Sequence, residues 1–278
     1  MGLHRMAPPC PEQQGFLDSG ASRIYWVRHP SPGPPKARVV LAGPFGLERE
    51  TSYITWVRWA RTLASRGFEC IHFDFAGHGE SEGSFEDLSL SDWSSDLSTV
   101  VARAAQGFDG PLLLCGLRFG ALLAAREFRN RRAWAMLLWD PPADARAMLS
   151  EVLRRKLASD VFEGTLGERG SRETYVLELE AGRPVEVEGF RWSHRLWCDA
   201  ARWSLDLPGP SDDRFWVVVR LDGHGRRTCT ERDHTAVVSI ARPAFWGHDP
   251  LVLAQVSELF DHGAAFLERA VEAWRRRG

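Results

Sequence analysis

The chain has few cysteines and no long apolar run, and these two absences bear on its disulfides, its metal sites and its relation to the membrane. Its five cysteines are scattered through 278 residues, odd in number and without a Cys-x-x-Cys spacing. This pattern argues against a disulfide framework or a zinc site, and it predicts reduced thiols and a cytoplasmic location. The first residues show no signal-peptide core, and no apolar run is long enough to cross a bilayer, so we expect no membrane span.

The chain also lacks an excess of either charge. A formal net charge of −2 makes nucleic acid and anionic membranes unexpected partners. No metal-ligand spacing, Walker motif or dinucleotide-binding glycine run is present, so we expect neither a metal nor an organic cofactor. A small molecule, anionic under one interpretation given below, is therefore the expected partner, and a homodimer remains open.

What the chain does contain is an alternation of strand-like and helix-like patterns. Apolar runs typical of buried strands occur at Ala37–Ala42, Phe68–Phe75, Pro111–Leu117 and Ala133–Asp140. Between the first two, apolar residues recur at helical spacing over Ser52–Arg66. This order predicts an α/β fold with βαβ units, a mainly parallel central sheet and helices on both faces.

The predicted organisation has four parts. Residues 1–15 are rich in proline and are expected to be poorly ordered. Residues 16–142 and 211–278 form the α/β core, and residues 143–210 form an inserted cap or lid over the sheet. Two strands and two helices are expected to close the core: Phe215–Leu221, Thr235–Arg242, Leu251–Asp261 and Ala264–Arg276.

Within the insertion, strand-like and helix-like patterns no longer alternate as they do in the core. We expect a long amphipathic helix over Ala143–Phe162, with an apolar stripe at helical spacing. A hairpin is expected from Thr174–Glu180 and Val185–Phe190, around a glycine turn. A tryptophan-rich helix over Ser193–Ser204 follows.

The most informative stretch is Leu112–Gly120, LLLCGLRFG. It reads as a buried strand, a Gly-x-x-x-Gly turn and the start of a small-residue helix. A strand–turn–helix elbow of this kind exposes its middle residue above a helix N-terminus, where hydrolases carry a nucleophile. Here that residue is Arg118, which is always protonated and has no lone pair for attack.

Two interpretations of Arg118 stay open. In the first, the guanidinium holds an anionic substrate group, because its fork suits carboxylate or phosphate. In the second, it forms an ion pair with a neighbouring carboxylate, Asp140 or Asp222, because a buried arginine without a counter-charge is costly. An open pocket next to Arg118 would favour a ligand, and a fully buried pair without a cavity would exclude one.

Other candidate residues lie at turns that follow the predicted strands, where open α/β sheets bind ligands. Asp222 follows the Phe215–Leu221 strand, and His248 lies after the last strand. They are the candidate catalytic acid and base, with water as the nucleophile. The candidate substrate-binding residues are Arg118, Phe45, Phe119 and Trp246.

A second glycine-rich turn, Asp74–Gly83, holds residues of catalytic type. His78 and Ser81 are both interpreted as structural, since short polar side chains in such loops hydrogen-bond locally.

Several ordered segments of the chain carry a family resemblance. They are DFAGHGESEGSFEDLSLSDWSSDL, CGLRFGALLAA, LLWDPPADARAMLSEVLRRKLASD, PVEVEGF and RPAFW. They resemble the serine-aminopeptidase-like (S33) branch of the α/β-hydrolase superfamily, and within it the exosortase A system-associated hydrolases of the second type. The resemblance implies an α/β-hydrolase fold in a bacterial protein linked to exopolysaccharide and exosortase systems, with arginine at the elbow as a subgroup feature.

Two functions follow from this resemblance and from Arg118. The first is a non-canonical hydrolase or transferase that binds a small acyl, glycosyl or carboxylate-bearing substrate. The second is a catalytically inactive pseudo-hydrolase that binds a ligand or a partner without turnover, because a fold alone does not establish an activity.

Overall fold

The computed structural model describes residues 11–20, 22–163, 171–209, 211–222, 229–232, 235–241, 245–246 and 256–277. The strands are β1 Gln13–Ser19, β2 Ser22–His29, β3 Arg38–Ala42, β4 Glu69–Phe73, β5 Leu112–Leu117, β6 Ala135–Trp139, β7 Val185–Val187, β8 Phe190–Trp192, β9 Phe215–Asp222, β10 Cys229–Arg232 and β11 Thr235–Ala241. The helices are α1 Gly46–Ser65, α2 Leu90–Ala105, α3 Phe119–Phe128, α4 Ala145–Glu163, α5 Arg172–Glu180, α6 His194–Ala200 and α7 Ser257–Arg275. Among these helices, none has the length and apolar character needed to cross a bilayer.

The sheet confirms the predicted α/β class. Nine of the described strands form one sheet in the order β1-β2-β4-β3-β5-β6-β9-β11-β10. The six strands from β4 to β11 in this order run parallel, whereas β2 and β10 are antiparallel to their neighbours. Parallel neighbours require crossover connections, and helices between the strands supply them from β3 to β9.

Helices cover both faces of this sheet. Alternate residues of β3 point to opposite faces, so that Val39 and Val40 belong to two different apolar clusters. One cluster includes residues of α1 and α7, and the other includes residues of α2 and α3. Because both faces are covered, β5 and β6 are buried along their whole length, which explains their continuous apolar sequences.

The segment between β6 and β9 contains α4, α5, α6 and the two-stranded sheet of β7 and β8. Its apolar side chains, among them Leu153, Trp192 and Trp197, belong to the same buried cluster as α2 and α3. This segment therefore packs on the core through a continuous apolar interior.

One prediction within this segment is wrong. Thr174–Glu180 was expected to be a strand, but it lies in α5. The side chain of Ser171 accepts a hydrogen bond from the Thr174 N–H and caps the helix, so the local cap outweighs the β-propensity of this sequence. The hairpin is formed by β7 and β8, whose two-residue turn has positive φ at both Glu188 and Gly189.

The end of the chain also differs from expectation. Two helices were predicted with a break near Gly263, but α7 is continuous from Ser257 to Arg275. A Cβ at Gly263 would lie 3.1 Å from side-chain atoms of Trp59 and Leu137. The glycine therefore permits close packing of the helix on the core and does not end the helix.

Three further element limits differ from the predictions. The first strand begins at Gln13, so the end of the segment expected to be poorly ordered lies in β1. The first helix begins at Gly46, six residues before the predicted start. The tryptophan-rich helix ends at Ala200 and does not extend to Ser204. β10 was not predicted.

Candidate ligand site at the elbow

The predicted elbow is present at the carboxyl edge of the sheet. β5 ends at Leu117, Arg118 makes the turn, and α3 begins at Phe119. Arg118 has a φ of 52° and a ψ of −115°, a conformation that non-glycine residues rarely adopt. Such a conformation costs about 1–3 kcal/mol and persists where the surrounding structure enforces it.

The two glycines of the elbow are required by close packing. A Cβ at Gly116 would lie 2.5 Å from the Cα of Ala121. A Cβ at Gly120 would overlap the carbonyl oxygens of Ala42 and Gly43. Gly120 therefore lets the start of α3 approach the turn after β3, which brings two loops of the carboxyl edge together.

The guanidinium of Arg118 is buried and paired with two carboxylates. Its Nε and Nη2 atoms donate to Glu48 at 3.1–3.3 Å, and its Nη1 atom donates to Asp140 at 3.1 Å. The pairing with Asp140 is one of the two alternatives that the sequence left open. Glu48 was missed, because α1 begins earlier than the periodicity indicated. An acidic residue in the first turn of a helix is a common pattern, and it was the available signal.

Burial and charge act against each other in this cluster. Burial raises the pKa of the Glu48 carboxyl, and the Arg118 guanidinium opposes that rise. The Asp140 carboxyl is affected in the same way. Burial alone would lower the pKa of Arg118, but attraction to Glu48 and Asp140 outweighs it and raises the pKa. Arg118 therefore keeps its positive charge.

A cavity of about 140 Å³ lies directly beside Arg118. Its lining residues are Leu47, Glu48, Arg118, Glu151, Arg155, Glu188 and Trp246. The lining thus joins the first turn of α1, the elbow, and the segment between β6 and β9. Arg118 is paired and also faces open space, so neither sequence interpretation is complete alone.

The second arginine of the lining, Arg155, is paired as well. Its Nε atom donates to Glu188 at 3.2 Å, and its terminal nitrogens lie 3.4 Å from Glu151 and 3.8 Å from Glu48. No serine, threonine, cysteine, tyrosine or lysine is found among the described residues that line the cavity. The described lining therefore offers hydrogen-bonding groups, charge and carboxylates, but no hydroxyl, thiol or amine that could act as a nucleophile.

The four predicted binding residues fall into two groups. Arg118 and Trp246 line the cavity, and the Arg118 guanidinium carbon lies 5.4 Å from the centre of the Trp246 ring. Phe119 is fully buried, and its ring packs edge-on against Phe45 with 4.5 Å between ring centres. Phe45 lines a neighbouring cavity of about 10 Å³.

The two predicted catalytic residues cannot be placed as side chains. β9 ends at Asp222 beside β6, so its backbone lies at the same edge of the sheet as Asp140. The side chain of Asp222 and the whole of His248 lie outside the described residues. Among the residues that are described, no three His, Cys, Asp or Glu side chains are grouped to hold a metal ion.

The histidine and serine of the glycine-rich loop make the local hydrogen bonds that their structural interpretation requires. His78 is buried, and its Nε2 atom accepts a hydrogen bond from the Gly46 N–H at 3.2 Å. Ser81 donates to the Asp74 carbonyl at 2.6 Å and accepts from the Tyr25 N–H at 2.7 Å. His78 therefore fixes the first residue of α1, two positions before Glu48.

Solved structures identify this architecture. The α/β hydrolase GrgF from Penicillium sp. sh18 superposes with a TM-score of 0.65 at 15% identity, covering 95% of this chain and all of the other. Est1E from Butyrivibrio proteoclasticus, solved with ferulic acid, gives a TM-score of 0.60 at 18% identity over 90% of this chain and 99% of its own. The chain has the α/β-hydrolase fold.

Sequence comparison gives a partial match to a palmitoyl-protein thioesterase. The mitochondrial palmitoyl-protein thioesterase ABHD10 of Pongo abelii is 32% identical over 93 residues, 31% of this chain and 29% of the relative. The Homo sapiens protein is 32% identical over 77 residues, 26% of this chain and 24% of its own. The matched region thus spans less than a third of these relatives. No family model matches the chain.

Proposed function

We propose that this α/β-hydrolase-fold protein binds a small hydroxyl-rich molecule beside Arg118 and forms no acyl-enzyme intermediate. One observation carries the proposal: arginine occupies the elbow, where serine, cysteine or aspartate would attack a substrate, and its guanidinium is held by Glu48 and Asp140. A guanidinium cannot act as a nucleophile, and this one is committed to an ion-pair cluster.

The charge balance of the cavity bears on the kind of ligand. Its lining holds two guanidinium groups and three carboxylates, and both Arg118 and Arg155 are already paired with carboxylates. An incoming anion would have to compete with these pairs in a site with excess negative charge. We therefore infer a neutral or cationic ligand, in preference to the anionic substrate that the isolated arginine suggested.

A glycosyl group fits this lining best. Carboxylates and guanidinium groups hydrogen-bond to hydroxyls, and Trp246 supplies an aromatic wall with an apolar face. The resemblance to exosortase A system-associated hydrolases of the S33-like branch supports a sugar-derived molecule of bacterial exopolysaccharide metabolism. In this proposal the protein acts in the cytoplasm, and residues 143–210 form a cap above the ligand. A homodimer remains a prediction.

A second candidate function is hydrolysis or transfer by an activated water. The position of Asp222 at the end of β9, on the edge that carries Arg118, favours it. His248 would serve as the base that activates the water. The partial match to a palmitoyl-protein thioesterase supports an acyl thioester as substrate. The charged lining of the cavity is a poor environment for an acyl chain, so this candidate ranks second.

Four pyranoses that differ in charge test the proposal. Isothermal titration calorimetry would compare glucose, glucosamine, glucuronate and 6-phosphoglucose. We expect glucose and glucosamine to bind about tenfold more tightly than the two anions, a difference of about 1.4 kcal/mol. Preferential binding of an anion would overturn the charge argument, and hydrolysis of a palmitoyl thioester without sugar binding would favour the second candidate.

Matched variants locate the binding. Arg118→Met removes the guanidinium, and Glu151→Gln changes a half-exposed lining residue without disturbing the buried pair. Both should weaken sugar binding. Arg126→Met is the control, because that arginine lies on α3 with its guanidinium over Trp203, away from the cavity lining. Equal affinities for all three variants would place the ligand elsewhere.

A further inference from the structure

A second, much smaller cavity lies between α1 and the carboxyl ends of β3 and β4. It measures about 20 Å³, and Gly43, Trp56 and His72 are among the residues that line it. The side chains of Trp56 and His72 are 5% and 3% exposed. Each of these two lining residues has a buried polar atom, Trp56 Nε1 and His72 Nε2, that has no hydrogen-bond partner within the described part of the chain. Buried polar groups are nearly always paired, so these two require an explanation.

A hydrogen-bonded chain that reaches the surface fixes the protonation of His72. Arg61 donates to the Glu12 carboxylate at 2.6 Å, and this bond, together with nearby charges, lowers the pKa of Glu12 to about 2. Glu12 is therefore an acceptor, and His29 Nδ1, 2.9 Å away, is the donor. Burial lowers the pKa of His29, so its ring is neutral and its Nε2 atom is an acceptor.

The next link follows from this tautomer. His72 Nδ1 lies 2.8 Å from His29 Nε2 and must donate to it. Burial lowers the pKa of His72 to about 3, so this ring is neutral as well. A neutral imidazole protonated on Nδ1 has a bare lone pair on Nε2. The atom of His72 without a partner is thus an acceptor, whereas the indole N–H of Trp56 is a donor only.

We propose that this cavity binds one ordered water molecule, which donates a hydrogen bond to His72 Nε2 and accepts one from Trp56 Nε1–H. The cavity volume of about 20 Å³ slightly exceeds the 10–15 Å³ or so that one water requires. Ser52 and Tyr53 also line the cavity, and both carry hydroxyl groups of the kind that buried waters contact.

The polarity of the two atoms distinguishes water from other ligands. A metal ion could bind the lone pair of His72, but it would face the positive end of the Trp56 N–H. An anion could accept from Trp56, but it would be repelled by the lone pair of His72. Water is both donor and acceptor, so it satisfies both atoms in a space too small for a larger molecule.

The water completes a connection between three elements. His29 ends β2, His72 lies on β4, and Trp56 lies on α1. Gly43, at the same cavity, also contacts the elbow through its carbonyl beside Gly120. The water therefore ties α1, which carries Glu48, to the sheet at a point behind the elbow.

A crystal structure at near-atomic resolution, joined to nitrogen-15 NMR of the histidine rings, tests the proposal. We expect a single density peak within about 3.2 Å of both Trp56 Nε1 and His72 Nε2. The NMR shifts should show His72 protonated on Nδ1. An empty cavity, or a His72 ring that carries its proton on Nε2, would overturn the proposal.

A matched pair of variants adds a second readout. Trp56→Phe removes the N–H while it keeps a ring in place, and the water peak should be lost. Trp139→Phe is the control, because its Nε1 is also buried without a partner among the described residues but does not line this cavity. Should Trp56→Phe fail to fold, the wild-type density and tautomer still decide. A peak that persists unchanged in Trp56→Phe would contradict the bridging role.

Discussion

The two buried polar clusters attached to α1 differ in charge and in the space beside them. The charged cluster consists of Glu48, Arg118 and Asp140, whose polar atoms satisfy one another beside a cavity of about 140 Å³. The neutral chain of His29 and His72 ends beside a cavity of about 20 Å³, in an acceptor that has no partner among the described residues. Open space beside paired charges suits the exchangeable ligand proposed above, whereas a small cavity beside an acceptor without a described partner suits the proposed water.

The substitution expected to change stability most is Glu48→Gln, because it disrupts the charged cluster. Glu48→Gln removes one of the carboxylates that compensate Arg118 in a buried position. Loss of one partner of a buried ion pair lowers the free energy of unfolding by about 3–5 kcal/mol. Urea unfolding measures the change. Glu50→Gln, on the exposed face of the same helix, is the control and should change stability by less than about 0.5 kcal/mol. Equal stability of the two variants would refute the account of the cluster.

The second prediction concerns coupling within the charged cluster. Arg118→Met should be destabilising alone, because it leaves Glu48 and Asp140 buried without their cation. Combined with Glu48→Gln, it should cost up to about 3 kcal/mol less than the sum of the two single changes. A double-mutant cycle by urea unfolding measures this difference. Simple additivity would show that the two side chains do not act as a pair.

The neutral histidines predict sensitivity to acid. Burial lowers the pKa of His72 to about 3 and of His78 to about 4. The unfolded chain takes up protons near pH 6.5, but the folded chain does not, so stability falls as the pH drops below 6.5. Each histidine should contribute a loss of about 2 kcal/mol between pH 6.5 and 5. In His78→Gln the loss over this interval should shrink by that amount, and identical pH slopes would contradict the prediction.

The substitution expected to change stability least removes the partner of the neutral chain. Trp56→Phe removes one hydrogen bond to a bridging water, and this loss should lower the free energy of unfolding by about 1 kcal/mol. Thermal unfolding beside Trp139→Phe measures the effect. Both changes remove indole volume from the core, and this costs stability in each variant. The control loses an N–H that has no described partner, so Trp56→Phe should be less stable than the control by about 1 kcal/mol. The reverse order of stability would argue against the bridge.

The elbow and one of its ion pairs could be predicted from the sequence for physical reasons. Gly116 and Gly120 mark a turn in which no side chain fits, and Asp140 follows the strand beside it. Both the turn and the position of Asp140 at the end of its strand follow from residues that are close together in the sequence. Glu48 could not be placed, because its position depends on where α1 begins. The helix begins at Gly46, which has a φ of 58°, and the spacing of apolar residues does not indicate this start.

The neutral chain lay beyond sequence analysis for a different reason. His29 and His72 meet because β2 pairs antiparallel with β4, in a register that places His29 opposite Cys70. His72 is then the diagonal neighbour on the same face. A shift of the register by one residue would separate the two rings. The sequence of β4 has no alternation of apolar and polar residues that would show which residues of β2 it faces. The two features that could not be predicted are therefore the register of β2 on β4 and the residue at which α1 begins.

We propose that the elbow binds a ligand beside Arg118 and carries no acyl nucleophile. Intact-mass spectrometry after incubation with a fluorophosphonate probe tests it most directly, because such probes label activated serines. We predict no mass increase, since Arg118 occupies the elbow and no described residue of the cavity lining is a serine. A stoichiometric adduct that maps to a residue at the carboxyl edge of the sheet would contradict the claim.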